Sequence, residues 1–192
     1  MRRDPHRNRV RDRIVRSAAA LFNRRGFTSV SIDEIMGGAG LTRGGFYSYF
    51  GSKGELYAAA VDLLVHEKRQ GASEGAMDRA IQTVRDYLSV RHHDDPEAEC
   101  PLIGLPNDLS RNERSVREAQ ECALRLLVDT FQSGARDGTE ERRERALALV
   151  SLCVGGMVLA QAIEDRALAD ELRDASRRIA MRLGGWDEPA LV

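Results

Sequence analysis

Apolar residues recur at helical spacing in one segment after another of this chain. Between Val10 and Arg25, Ile14, Ala18, Leu21 and Phe22 follow the i, i+4, i+7, i+8 stripe of an amphipathic helix, and Val15 and Ala19 broaden it. Arg24 and Arg25 suit the negative end of that helix, and Gly26 suits its cap. Ser31 and Glu34 stand at capping-box spacing, opening a second helix with Ile32, Ile35, Met36 and Ala39 on its apolar face. Gly37, Gly38 and Gly40 are expected to end it in a tight turn, with Leu41 plugging the turn into the core. Thr42 then N-caps a short helix, RGGFYSYF. Ser52 and Glu55 repeat the capping-box spacing ahead of a helix from Lys53 to about Gln70, carrying Leu56, Ala60, Leu63 and Leu64, with Tyr57 over the joint. The stretch GASEG, Gly71 to Gly75, is the clearest break, and the domain boundary is placed there.

Beyond the break the pattern stays helical. Met77, Ile81, Val84 and Tyr87, with Leu88, form a stripe over residues 74–90. A polar loop, RHHDDP, precedes Cys100 and Pro101, where proline at the first position opens a short helix. A long amphipathic helix follows from Glu113 to about Gly134, its stripe formed by Val116, Ala119, Ala123, Leu126, Leu127, Thr130 and Phe131. Asp137-Gly138-Thr139 turns the chain into a helix near Glu140 to Ile163 that is apolar nearly all round, a pattern that demands burial on both sides. Gly155 and Gly156 in its middle admit close approach of another helix. The last helix carries Leu168, Leu172, Ala175, Ile179 and Leu183, and Trp186 is expected to dock on the body. Cys122 and Cys153 read as core. The fold class is all-α: an N-terminal three-helix helix-turn-helix domain followed by a larger helical domain.

Composition narrows the classes. Charged residues make up 31% and aromatics 5%, which favours a soluble helical protein. No uninterrupted apolar run reaches the length of a membrane span, and the N-terminus lacks an apolar signal core, so a cytoplasmic protein away from membranes is expected. Three cysteines without a C-x-x-C pair argue against a disulfide framework or a zinc site. His92, His93, Asp94 and Asp95 are neighbours in one loop and do not converge on a single ion, so neither metal nor cofactor is expected. There is no phosphate-binding glycine loop, nucleophile elbow or acid–base carboxylate pair, so no catalytic residue is assigned and an enzyme is not expected. The formal net charge of −1 hides a division. Met1 to Lys53 holds 11 basic and 4 acidic side chains, against 18 and 26 in the remainder. A basic end containing a helix-turn-helix, joined to an acidic body, points to a nucleic-acid reader. Residues 1–9 are read as a flexible basic arm, whose Arg2, Arg3, Arg7 and Arg9 either reach DNA or form a plain solvated terminus.

Within the motif from Asp33 to Ser52, Phe46 and Phe50 lie one turn apart and face the small core. Thr42, Arg43, Gly44, Tyr47 and Tyr49 then fall on faces that can meet DNA, and a guanidinium such as that of Arg43 pairs bidentately with guanine. Gly44 and Gly45 each cost about 1 kcal/mol in helix propensity against alanine. That penalty points to close backbone approach, either to DNA or to the preceding helix.

From Val10 to Gln70 the chain resembles the DNA-binding domain of TetR-type transcriptional regulators. The resemblance is carried by the first helix ending in FNRRGF, the Thr-x-x-Ser lead-in, the A-G-L-T-x-G turn and the closing Y-x-Y-F-x-S-K. The rest resembles that family in length and helical pattern. The resemblance implies that Thr42, Arg43, Gly44 and Tyr47, with Gly45 and Tyr49 beside them, approach bases and phosphates, and that Lys53 holds a phosphate. It implies a DNA-binding domain over residues 10–70 and a ligand-binding and dimerisation domain over 75–192. In the implied homodimer the last two helices pair with their copies, with Val150, Val154, Gly155, Val158, Leu172 and Ile179 as candidate contacts. It further implies a repressor on a palindromic operator, released by a small, largely apolar effector for which Leu105, Leu109, Leu127, Phe131 and Met157 are candidate lining. Two alternatives remain open. One is a body that only dimerises. The other is a redox or electrophile sensor acting through Cys100, whose thiolate a helix N-terminus favours.

Overall fold

The computed structural model describes residues 5–70, 75–89, 114–135 and 141–186, which form helices and their turns with no strand among them. In chain order these are α1 (Pro5–Ser29), α2 (Ile32–Gly38), a 3-10 recognition helix (Arg43–Ser48), α3 (Lys53–Gln70), α4 (Ala76–Tyr87), α5 (Arg114–Ser133), α6 (Glu141–Gln161) and α7 (Arg166–Gly184). The fold is all-α, as the periodicity predicts. The described residues divide into two compact units, one comprising residues 5–70 with 114–123, the other 75–89, 124–135 and 141–186. The RHHDDP loop, the short helix expected at Pro101 and the Asp137-Gly138-Thr139 turn lie outside the described residues, as do Cys100, Leu105 and Leu109.

In the first unit, α1 begins at Pro5 rather than at Val10. Proline is suited to a first helical position because its φ is already helical and no N–H is needed there. Arg7 and Arg9 are therefore helical, and not part of a flexible arm. The helix breaks where its cap was expected, at Gly26, with φ 73 and ψ 168. Helix α1 packs on α3 and α2, burying Ile14, Ala18 and Phe22 with Ile35, Met36 and Leu56. Phe22, Phe27 and Tyr57 form an aromatic cluster with ring centroids 5.2 to 5.8 Å apart. Gln120 of α5 is buried and donates from Nε2 to the Tyr57 hydroxyl at 3.5 Å.

The second unit is built on the α6–α7 pair, with α4 against both. A Cβ added to Gly156 would lie 2.6 Å from Ser176 Oγ, so the glycine is what lets α7 pack this closely on α6. Trp186 docks as expected: Nε1 donates to the Gly134 carbonyl at 3.2 Å and the ring lies 6.2 Å from that of Phe131. The left-handed Gly185, φ 69, turns the chain back to make this possible.

One expectation is corrected here, that Cys122 is core. The face that α7 buries within the chain is Ala169, Arg173, Ser176 and Ala180, whereas Leu168 and Ile179 of the apolar stripe are exposed and Leu172, Ala175 and Leu183 half-buried. Ala169, Ser176 and Ala180 are small, which suits the close approach of α6 and α7 at Gly156, while the buried Arg173 pairs with Asp170. Cys122 is exposed, since it sits off the α5 face defined by Val116, Ala119, Ala123 and Phe131, while Cys153 is buried as expected. Finally, α6 is long and apolar enough to cross a membrane by length and composition. No uninterrupted apolar run reveals this, because Ser151 and two glycines interrupt the sequence while barely lowering its average. Here one face of α6 is core, and Leu147, Val158 and Leu159 on the other are exposed.

Candidate nucleic-acid interface

The reading segment is positioned by its caps. Glu34 N–H donates to Ser31 Oγ at 3.2 Å, and Ser31 N–H donates to Glu34 Oε2 at 2.8 Å, completing the capping box at the start of α2. Arg25 Nη1 reaches the other Glu34 oxygen at 2.6 Å. The Ser31 backbone N–H, then the Ser31 hydroxyl and the Arg25 guanidinium, hold the Glu34 carboxyl well down, from 4.5 to about 2. At the far end of α2, Ser17 Oγ donates to the Ile35 carbonyl at 2.8 Å. A Cβ on Gly38 would sit 2.5 Å from that same oxygen, so α2 must end in a residue without a side chain to lie on α1. Gly40 makes the turn with φ 67, and Arg13 donates across it to the Ala39 carbonyl.

The recognition helix is a tight 3-10 turn over Arg43–Ser48, where an α-helix was expected. Gly44 and Gly45 contribute little propensity for the wider α turn, and the element is short enough for the tighter ladder to suffice. Thr42 is extended and stands at the N-cap position, but its side chain makes no capping hydrogen bond. Phe46 and Phe50 are buried with centroids 6.0 Å apart, anchoring the helix from below as the sequence predicts. Thr42, Arg43, Gly44 and Tyr47 are exposed together, Tyr47 at 67%. Nothing lies within 4 Å of a Cβ built on Gly44, while one on Gly45 would meet Met36 Cε at an ordinary 3.7 Å. Packing against α2 therefore requires neither glycine, and the open space at Gly44 faces outward.

Tyr49 is only half-exposed. Arg7 lies over its ring, with Cζ 5.9 Å from the centroid, and donates from Nη2 to the Ser48 carbonyl at 2.7 Å. Lys53 opens α3 with its ammonium 4.5 Å from the Phe27 ring centroid, a cation–π contact. At the second capping-box spacing, Glu55 N–H donates to Ser52 Oγ at 3.1 Å and the Glu55 carboxylate accepts from Gly51 N–H at 2.7 Å.

Sequence reasoning missed two contacts. Arg43 Nη1 pairs with Asp33 Oδ2 at 2.9 Å, and Arg7 clamps the end of the recognition helix. Both join residues that only the helix-turn-helix geometry brings together, so no local spacing announces them. Among the other assigned residues, Val158 and Ile179 are exposed, Val154, Gly155 and Leu172 half-buried, and Val150 buried. Leu127, Phe131 and Met157 are buried in the second unit. Among the described residues no cluster of His, Cys, Asp or Glu could hold a metal.

Residues 14–60 match the family model of bacterial regulatory proteins of the tetR family. An uncharacterized HTH-type transcriptional regulator of Mycobacterium tuberculosis is 25% identical over 89% of this chain and 94% of its own length. The Transposon Tn10 TetC protein of Escherichia coli is 48% identical over 46 residues, covering 24% of this chain and 23% of that protein. Among solved structures, the reduced form of E. coli NemR superimposes with a TM-score of 0.73 at 18% identity, over 91% of this chain and 97% of its own. A TetR-family transcriptional regulator from Agrobacterium tumefaciens gives 0.71 at 18% identity, over 90% and 98%. At that identity these structures speak for the fold, and the matched segment is the one that holds the capped turn and the exposed Arg43 and Tyr47. Over residues 14–60 the chain carries the DNA-binding domain of the tetR family of bacterial regulatory proteins, and over most of its length it shares the fold of a TetR-family transcriptional regulator.

Proposed function

We propose that the protein is a ligand-responsive repressor that binds a palindromic operator as a homodimer, reading bases with Arg43 and releasing DNA when a small, largely apolar effector enters its body. The observation that carries the reading is the recognition helix itself: Phe46 and Phe50 are buried beneath it while Thr42, Arg43, Gly44 and Tyr47 face outward. An exposed guanidinium offers a bidentate pair of donors to guanine, and the Thr42 methyl offers an apolar contact to thymine. A bare Gly44 lets a phosphate or groove wall approach the backbone, and Lys53 at the start of α3 supplies a cation for a phosphate. DNA recognition is assigned to residues 10–70, and effector binding and dimerisation to 75–192.

One recognition helix contacts too few base pairs for tight specific binding, so a second copy supplies the rest. The outward stripe of α7 and the outer face of α6 suit that second copy. Leu147, Val158, Leu159, Leu168 and Ile179 are large apolar side chains left exposed by the single chain. Gly155 has nothing within 4 Å of a built Cβ, in contrast to Gly156, so it leaves room for a partner helix. Effector control needs only that the ligand bind one spacing of the two recognition helices better than the other. Leu127, Phe131 and Met157 are apolar and buried, in keeping with an apolar effector.

The test is Arg43→Ala, measured by fluorescence anisotropy on duplexes recovered by selection with the wild-type protein. Binding to the recovered site should weaken by about 1–3 kcal/mol while binding to random duplex changes little. Equal affinity of the variant and the wild type for the recovered site would overturn the base-reading role.

A further inference from the structure

We propose that Asp33 is a positioning residue that fixes the Arg43 guanidinium for guanine and so sets base preference at that step. The inference rests on Arg43 reading a base, as argued above. Asp33 lies in the first turn of α2 and Arg43 is the first residue of the recognition helix; the glycine turn folds them together, with Nη1 2.9 Å from Oδ2. Both side chains are well exposed, 64% for Arg43 and 56% for Asp33, so the pair contributes little to folding. Its effect is on direction. A guanidinium carries five N–H donors in a rigid fork. Asp33 engages only Nη1, on the side of the fork nearest the aliphatic stem. The opposite edge, Nε with Nη2, keeps two parallel donors matched to guanine O6 and N7. A long, flexible side chain is thus held with its reading edge free before DNA arrives, and less freedom is lost on contact.

The carboxylate also discriminates against the wrong encounter. It places a negative charge beside the reading arginine, where it opposes phosphates and thymine or guanine acceptors that approach without engaging Arg43. Specific and nonspecific binding therefore respond to its loss in opposite directions. If the charge merely locked Arg43 away from DNA, its loss would instead tighten both.

The experiment selects from a randomised duplex library with the full-length wild type, Asp33→Asn, Asp33→Glu, Arg43→Ala and the Asp33→Asn/Arg43→Ala double variant, followed by sequencing and anisotropy titration. Asp33→Asn should lower the preference for guanine at the Arg43 step at least about fivefold, leave or raise affinity for random duplex, and leave the thermal midpoint unchanged. Asp33→Glu, which can still reach the guanidinium, should keep most of the preference. The double variant should show the same guanine preference as Arg43→Ala, because Asp33 sets that preference through the arginine, whereas its effect on random duplex persists without it. Unchanged guanine preference in Asp33→Asn, or tighter binding to recovered and random duplex alike, overturns the positioning role while leaving Arg43 as the reader. If Arg43→Ala itself selects the same sites as the wild type, the reading assigned to Arg43 fails and this inference fails with it.

Discussion

At the scale of single residues, Gly44 separates a structural from a functional demand. An alanine there would meet no atom within 4 Å, and Gly44 does not have a positive φ. Folding should therefore tolerate Gly44→Ala, or gain from it up to about 1 kcal/mol through the helix propensity of alanine. DNA binding should nonetheless weaken, because the added methyl stands where a phosphate or groove wall would come up to the backbone. Thermal unfolding and operator titration of the same variant check both halves, and unaltered DNA affinity would remove Gly44 from the interface. The sequence exposed the penalty at this position but left its cause open between DNA and the preceding helix. Only the distance from α2 excludes the second cause. Asp33 shows the opposite limit: nothing in its local sequence marks it as the partner of an arginine ten positions on, since the pair exists only once the turn is made.

At the scale of elements, legibility followed how local the determining physics is. Both ends of α2 were readable, because a capping box and a left-handed glycine depend on a few adjacent residues. The Glu34 carboxyl makes a pH prediction possible for this element. Its pKa in the folded chain, about 2, lies below the ordinary 4.5, so its contribution to stability is complete above about 4.5 and is lost as pH falls toward 2. In acid titrations followed by circular dichroism, Glu34→Gln should be less stable than the wild type at neutral pH, and the difference should shrink through that window. A difference that persists at pH 2 would show that the capping box does not depend on the charge. The recognition helix was less legible. Its residues and buried phenylalanines were placed correctly, but its 3-10 winding and the idle Thr42 hydroxyl were not, because two glycines leave the backbone to be set by its neighbours. Helix α7 was read for its apolar stripe, yet Ala169, Ser176 and Ala180 face inward. Periodicity finds a stripe without saying which surface covers it. Here those small residues suit the close packing at Gly156, while Leu168 and Ile179 are left outside.

At the scale of the whole molecule, the basic reading end and the outward apolar faces of α6 and α7 belong to one proposal, that two copies joined through those faces present two recognition helices to one stretch of duplex. Everything proposed about operator symmetry and effector release depends on that pairing. The most direct test is selection of randomised duplex by the purified full-length protein, followed by footprinting of the recovered site together with the stoichiometry of the complex. The account predicts an inverted repeat whose half-sites are centred about 34–36 Å apart, or a multiple of that, each half protected around the base that Arg43 reads, and an even number of chains bound per site. Recovery of a single asymmetric half-site occupied by one chain, or of no preferred sequence at low salt, would contradict it.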